Sequence, residues 1–426
     1  MPALSCCLRL PLPSLTSLAL VATLATSPSV QAFDSPSLRL SGFGTLGVAH
    51  AHVDGPWSFR RDVLQRPTGR GLQTQVDSRL GLQGNLRLPH QWEAVLQGIA
   101  KPLAREAPLS QHLEWAFLAH QPAPGLTLRF GRVSNDMFLE SEYRNVGFAM
   151  PWIRSNMEFY GWSPLPSLDG ADIAQRWQSG DARWRAKLAI GQSDLDVPSY
   201  GGRSIGFQAR DALAASVSRE EGGLLVKLSF VQMKIAFTGV DELSAVAAGL
   251  RAVERNPLAP ERMRAEARSL ADGMMIGSVM SRYATLSLQH TAGPWLTQFE
   301  ANRGYSSGGR ASDDWHAYAA LAYRAEPFTV FAMTGQARPM AEAARAPAWT
   351  GAAYTLGAIG AALNNVGRVE QESLSAGLRW DITPQMAAKF QYDHFRIGDH
   401  GGTLWGDSDN TGRRANVVSI VIDSVF

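Results

Sequence analysis

What most constrains this chain is an alternation of apolar and polar side chains, with a period of two, running from one end to the other. From Val76, one parity reads Val76, Ser78, Leu80, Leu82, Gly84, Leu86 and Leu88, and the other reads Asp77, Arg79, Gly81, Gln83, Asn85 and Arg87. An extended strand sends those two sets to opposite faces, whereas a helix would scatter them around its circumference. The same division separates Ala182, Trp184, Ala186, Leu188 and Ile190 from Arg183, Arg185 and Lys187, and Met386, Ala388, Phe390 and Tyr392 from Lys389, Gln391 and Asp393. It recurs at Trp315, Ala317, Ala319, Leu321 and Tyr323; in the last segment Val418, Ile420, Ile422 and Phe426 oppose Ser419 and Asp423.

A water-soluble sandwich also alternates, so the connections have to discriminate. Sixteen strands are expected, near 38–50, 74–88, 92–101, 110–120, 126–133, 169–178, 181–192, 204–219, 223–237, 276–290, 294–303, 314–325, 327–338, 370–381, 385–397 and 415–426. Tight connections fall at Pro89-His90, Gln121 to Gly125, Ser179-Gly180, Glu220 to Gly222, Thr291 to Gly293, Glu326 and Ile382 to Pro384, and long ones lie between them in strict order. That order predicts an all-β fold: a transmembrane antiparallel up-and-down β-barrel with short periplasmic turns at one end and long extracellular loops at the other. Closure is required because lipid cannot hydrogen-bond a free strand edge.

The ionic residues fall mostly on the parity opposite the aliphatics. The lumen is therefore expected to be charged and wet rather than packed with a core, and sixteen strands enclose enough width for water. Trp92, Trp115, Trp177, Trp184, Trp295, Trp315 and Trp380 share the apolar parity and suit interfacial girdles.

Residues 1–32 carry one basic residue, Arg9, then an apolar centre from Leu15 to Ala25 and the small-residue end Val30-Gln31-Ala32. This pattern predicts a cleaved signal peptide, leaving 33–426 as the barrel. Both cysteines, Cys6 and Cys7, precede the apolar run, which leaves the remainder without thiol chemistry, disulfides or cysteine-bound zinc. Across all 426 residues 40 basic side chains face 38 acidic ones, too even a balance to point to nucleic acid.

Local motifs suggest chemistry that their surroundings do not support. Gly42-Phe43-Gly44-Thr45-Leu46-Gly47 matches a dinucleotide fingerprint, but no amphipathic helix follows to receive phosphates. Gly304-Tyr305-Ser306-Ser307-Gly308 matches a nucleophile elbow, yet polar loop residues follow where a helix is needed. Asp407, Asp409 and Thr411 lack the downstream glutamate of a calcium loop, and His50 with His52 lacks a third ligand. No metal and no cofactor is expected. The segment 238–275 spaces Leu243, Val246, Ala247 and Leu250 as one helical face and carries Arg251, Arg255, Arg262, Arg264 and Arg268; it is read as extracellular helices, with lipopolysaccharide phosphates as the alternative partner. The uncharged stretch Ala346 to Gly367, broken by Pro347, glycines and Asn364-Asn365, reads as a flexible loop.

The exported start, the runs Leu40-Ser41-Gly42-Phe43-Gly44-Thr45-Leu46-Gly47, Asp77-Ser78-Arg79-Leu80-Gly81-Leu82 and Leu128-Arg129-Phe130-Gly131-Arg132, and terminal Phe426 together resemble the porins of Gram-negative bacteria, of the sixteen-strand type. The resemblance covers the whole chain after residue 32 in architecture. It implies a passive diffusion channel for small hydrophilic solutes or ions, a homotrimer in the cell outer membrane, bordered by lipid and lipopolysaccharide. It also implies that Phe426, Ile422 and Ile420 are read by the barrel assembly machinery; Ser424 departs from that pattern.

The resemblance further implies that the third long loop, 134–168, narrows the pore. No eyelet motif can be matched there, so the acids among the loop charges Asp136, Glu140, Glu142, Arg144, Arg154 and Glu158 are nominated as a group, facing the lumen arginines Arg79, Arg129, Arg183 and Arg185. Opposed rows of this kind would set a transverse field and an ion preference. Two rivals stand beside the channel: a barrel esterase or phospholipase using Ser306 or Ser307 with His316, and a plugged structural barrel.

Overall fold

The alternating segments become strands wherever a neighbour can satisfy their backbone, and here every one finds two. The computed structural model of the chain describes residues 36–53, 59–66, 71–163, 165–198, 204–274, 277–306, 313–365, 367–398, 405 and 412–426. The signal segment expected over 1–32, the loop oxygens at 407, 409 and 411, and Ser307 lie outside the described residues. The strands are β1 (Ser37–Val53), β2 (Gly71–Gln73), β3 (Arg79–Leu88), β4 (Trp92–Ala100), β5 (Leu113–Ala123), β6 (Leu126–Ser134), β7 (Ser167–Ser179), β8 (Ala182–Pro198) and β9 (Ser204–Glu221). They continue as β10 (Leu224–Thr238), β11 (Val279–Ala292), β12 (Trp295–Ser306), β13 (Asp314–Ala325), β14 (Phe328–Pro339), β15 (Gln371–Thr383), β16 (Met386–Ile397) and β17 (Arg413–Val425).

Short β2 and long β3 both pair with β1 and together make one stave, so the wall has sixteen staves. Each pairs antiparallel with its chain neighbours, and β17 returns to β1 with Phe43 opposite Val425 and Val53 opposite Ala415. The ring is therefore closed, and no strand edge is left to lipid. Phe426 completes the seam: its backbone exchanges hydrogen bonds with Gly42 at 2.8 and 3.0 Å. A Cβ on Gly42 would lie 2.5 Å from the Phe426 ring, so the close packing there requires glycine.

The greasy parity faces outward. Leu40, Leu46, Leu82, Leu96, Ile190, Leu374 and Ile420 are exposed, while the intervening positions are mostly covered. Near the short turns the outer face carries aromatic pairs: Trp177 on Trp184 at 5.9 Å, Trp295 near Tyr323 at 4.6 Å and Trp92 on His120 at 4.3 Å. This is the arrangement expected at a membrane interface. Gly42 to Gly47 lie inside β1, which continues as strand to Val53, where a dinucleotide site would need a helix.

Four expectations need correction. Trp115 does not join the outer girdle: it shares the inward parity of Phe117 and Ala119 and stands opposite Gln97, whose amide bonds Gln83 on the lumen side, and the register shift of the β4–β5 pairing lies only beyond that pair. The expected strand 74–88 is interrupted, and Val76 and Asp77 are both buried instead of dividing between faces. Helix replaces flexible loop over α4 (Gly351–Asn365), which packs on α2 (Asp241–Arg255) and α3 (Glu261–Gly273) around Leu250, Leu270, Met274 and Ala361. Burial of an apolar face outweighs the glycines there. No helix among the described residues is long and apolar enough to cross a membrane. Last, the lumen is not simply wet. It contains a packed cluster in which Phe138, Trp152, Phe159 and Tyr160 of the third long loop meet Tyr318, Phe331 and Met333 of the wall.

Candidate pore constriction

The third long loop, 135–166, joins β6 to β7 but makes most of its contacts with the opposite wall. Its composition explains the inward course: Met137, Phe138, Met150, Trp152, Ile153, Met157 and Phe159 are all buried, and a segment with that much apolar area is stabilised by leaving water. The wall makes room with small residues, among them Ala320, Gly335, Ser373 and Ser375. At Gly335 a Cβ would lie 2.2 Å from the Asn156 amide, so the loop sits directly on that backbone. A single turn, α1 (Met157–Tyr160), is capped by Asn156, whose side chain accepts from Phe159 N–H at 3.0 Å.

Backbone groups of the loop find their partners on the wall. Lys389 of β16 donates to the carbonyls of Gly147 at 2.6 Å and Trp152 at 3.0 Å, and Arg379 of β15 donates to those of Phe148 and Met150. Arg79 donates to Asn145 O at 2.6 Å, and Ile153 N–H donates to the Gln391 side chain at 2.8 Å. These wall cations act as backbone caps for an irregular segment that would otherwise leave buried carbonyls unpaired.

Two buried ionic contacts anchor the loop more strongly. Arg154 donates to Asp77 at 3.0 Å and to Asp393 at 3.1 Å, and its guanidinium lies 5.0 Å from the Phe59 ring centre. This explains the broken second stave: Asp77 leaves the strand register to meet the arginine. Glu158 accepts from Gln371 at 2.5 Å and Ser373 at 2.6 Å, and burial pushes its carboxyl above the ordinary range.

The nominated charges divide between different environments. Asp136 accepts from Lys227 of β10 at 2.5 Å and pairs with Arg185 of β8 at 2.9 Å. Glu142 lies 3.4 Å from Arg185, 3.7 Å from Arg129 and 3.8 Å from Lys187. Burial alone would raise both carboxyls, but those cations outweigh it: Asp136 is held below its ordinary value and Glu142 well below. Wall residue Asp172 completes the group, 2.7 Å from Arg129 and 3.3 Å from Lys187.

Glu140, Arg183 and Arg144 do not take the places nominated for them. Glu140 faces no arginine of the wall; it accepts from Trp152 Nε1 at 3.1 Å in a dry site, where burial, with Glu300 adding to it, raises its pKa to about 8. Arg183 is 71% exposed and pairs with Glu220 at 2.6 Å beside the short turn, far along β8 from the loop. Arg144 offers its carbonyl to Arg61 at 2.9 Å, and Arg79 holds loop backbone rather than facing an acid.

Lys187, Lys227 and Asp172 also belong to the site and are additions to the expected group, which already held Arg154 and Glu158 among the loop charges. Lys187 and Lys227 occupy charged positions of lumen parity between aliphatics, a pattern visible in the sequence. The partners of Arg154 depend on contacts across the barrel and leave no local signal.

The lumen is filled unequally. Along β10 to β17 the inward side chains Ser281, Ser287, Glu300, His316, Gln391 and Ser419 are fully buried under the loop. Along β3 to β9, Gln83, Asn85, Glu93, Ser216, Ser218 and Arg185 stay partly exposed, and Arg176 is exposed. His316 serves the sealed half: its ring stacks on Trp162 at 4.5 Å, and Nδ1 lies 2.6 Å from the Glu158 carbonyl oxygen. Ser306 lies in β12 opposite Ser281, without the strand-to-helix turn a nucleophile needs within the described residues. His50 and His52 pair with Val418 and Asn416 on the outer face, and the described residues hold no metal-ligand cluster.

No protein-family model and no curated protein matches this chain. Solved structures do. The anion-selective porin from Comamonas acidovorans superposes with a TM-score of 0.53 at 12% identity, covering 92% of this chain and all of that one. OmpT of Vibrio cholerae gives 0.51 at 10% identity over 93% of this chain and 100% of its own. OmpF of Salmonella typhi, in complex with daunomycin, gives 0.51 at 11% over 91% and 97%. At such identities the likeness concerns architecture, and the chain shares the closed sixteen-strand barrel fold of the Gram-negative porins.

Proposed function

We propose that the protein is an outer-membrane diffusion channel for small hydrophilic solutes or ions, with the third long loop as its constriction. One observation carries this reading: the loop seals only half of the lumen and leaves the Glu142, Arg129 and Arg185 group partly exposed toward the other half. Exposed outer aliphatics with aromatic girdles support a place in a bilayer. The reading includes a signal-directed route to the outer membrane, recognition of Phe426, Ile422 and Ile420 by assembly machinery, a homotrimer, and contact with lipopolysaccharide. Purified protein reconstituted in planar bilayers tests it. Discrete ohmic conductance steps are expected, and their absence from folded, heat-modifiable protein overturns it.

The packed cluster of Phe138, Trp152, Phe159 and Phe331 favours a second reading, a plugged structural barrel. The same bilayer experiment decides between them. An enzymatic reading gains nothing from the surroundings of Ser306 and His316; ester turnover lost in Ser306→Ala would revive it.

A further inference from the structure

The partly open half of the lumen carries an unbalanced row of charge. Arg183, Arg185 and Lys187 are successive inward positions of β8, so one strand points three cations into the barrel. Arg185 stands directly opposite Arg176 of β7, like charges on one face of which Arg185 is paired with Asp136 and Glu142 and Arg176 is not. Arg129 of β6 lies next to this pair, opposite Asp172. The charges acting on Arg176 are Arg185, Glu142, Arg129 and Asp136, yet its guanidinium hydrogen-bonds none of the described acids.

In this part of the wall, its short turn and the loop segment facing it, six cations, Arg129, Arg176, Arg183, Arg185, Lys187 and Lys227, meet five acids, Asp136, Glu142, Asp172, Asp181 and Glu220, a surplus of one positive charge. Asp136, Glu142, Asp172 and Glu220 are engaged with Lys227, Lys187, Arg129, Arg185 and Arg183, whereas the Arg176 end of the row is unneutralised. In a water-filled cleft with a low-dielectric wall such a surplus raises the local concentration of anions.

Resting on the channel reading above, we propose that the opposed Arg176 and Arg185 of β7 and β8 form an anion-binding rung, and that the row from Lys187 through Arg185 and Arg176 to Arg183 makes the channel prefer anions. The solute class it suits is small carboxylate- or phosphate-bearing anions, which can bridge two guanidinium groups with paired hydrogen bonds.

The test is the reversal potential of the reconstituted protein in a potassium chloride gradient, together with block of the current by inorganic tripolyphosphate. Wild type is expected to favour chloride and to be blocked by tripolyphosphate. Arg176→Gln is expected to lower the chloride-to-potassium permeability ratio about two- to threefold and to weaken the block. Arg176→Lys is expected to retain the preference, and Arg176→Glu to lower it further. Conductance with no anion preference, or a preference unmoved in Arg176→Gln and Arg176→Glu, overturns the rung while leaving the channel intact. Absence of any conductance overturns both. Because Arg176 makes no described side-chain hydrogen bond or ion pair with the loop, an altered heat-unfolding midpoint in Arg176→Gln, with selectivity unchanged, would assign it a structural role and also overturn the proposal.

Discussion

The two halves of the barrel wall begin from the same alternating pattern and finish differently. Along β10 to β17 the lumen face is rich in small polar or aromatic residues, its cations Lys227, Arg379 and Lys389 are engaged with the loop, and the loop closes over it until Ser281, Glu300, His316 and Gln391 lose contact with water. Along β3 to β9 the lumen face carries long cations, and Arg176 and Arg185 keep theirs. The difference shows that the destination of an inserted loop depends on what the facing wall can accept. Small residues admit side chains such as Phe159 and Asn156, whereas Arg129, Arg185 and Lys187 of the other half meet the loop at its acidic stem, through Asp136 and Glu142.

The largest effect is expected from Arg154. Its removal leaves Asp77 and Asp393 buried without a countercharge, a loss of about 3–5 kcal/mol for a broken buried pair. Arg154→Ala should therefore release the loop from the sealed half, seen as higher and noisier conductance with earlier heat unfolding. Restoring quiet openings by adding Asp77→Asn and Asp393→Asn would confirm the charge argument; a silent Arg154→Ala would remove the distinction between the halves. Gly335→Val is the next largest. Its side chain would occupy the place of the Asn156 amide, with an overpacking cost of about 1–3 kcal/mol. Larger conductance is expected, while Ser216→Val, at a partly exposed position of the open half, should leave loop docking unchanged.

Acid–base behaviour of the sealed half gives a third test. Glu140 titrates near its ordinary 4.5 when solvated but at about 8 when buried. Between those values the docked loop holds a proton that the undocked loop has released, so docking weakens as pH rises from 4.5 to 8 and levels off above. Conductance noise from loop motion should rise over that window in wild type and rise less in Glu140→Gln, where the raised carboxyl of Glu158 remains. A wild-type protein insensitive to pH there would contradict a dry site for Glu140. The smallest effect lies outside the lumen altogether. Arg262 and Glu266 form an exposed i,i+4 pair at 2.9 Å on α3, and Arg262→Ala should shift stability by only about 0.3–0.5 kcal/mol and leave conductance unaltered.

The row of arginines on α2 and α3 shows how fold and site differ in legibility. Leu243, Val246, Ala247 and Leu250 were readable as one helical face because packing of that kind repeats locally. Arg251 and Arg268 then meet Glu254, and Arg262 meets Glu266, so several of these basic groups serve the helices themselves rather than standing open to phosphate. Glu140 and Glu142, two residues apart, show the limit. Nothing in their neighbourhood in sequence distinguishes a carboxyl raised to about 8 from one held well below the ordinary range. The distinction comes from Glu300 beside one, and Arg185, Lys187 and Arg129 beside the other.

The sequence by itself determined the strands, the face each side chain takes and the alternation of short turns with long loops. These follow from the two-residue repeat of an extended backbone and from the demand that a strand in lipid find a neighbour on each side. Only the tertiary structure decided that the third loop crosses the barrel, that Asp77 leaves its strand for Arg154, that Trp115 turns inward and that one half of the lumen is sealed. Those outcomes depend on the fit between surfaces far apart in the chain, and a local repeat carries no information about which distant surface will face it.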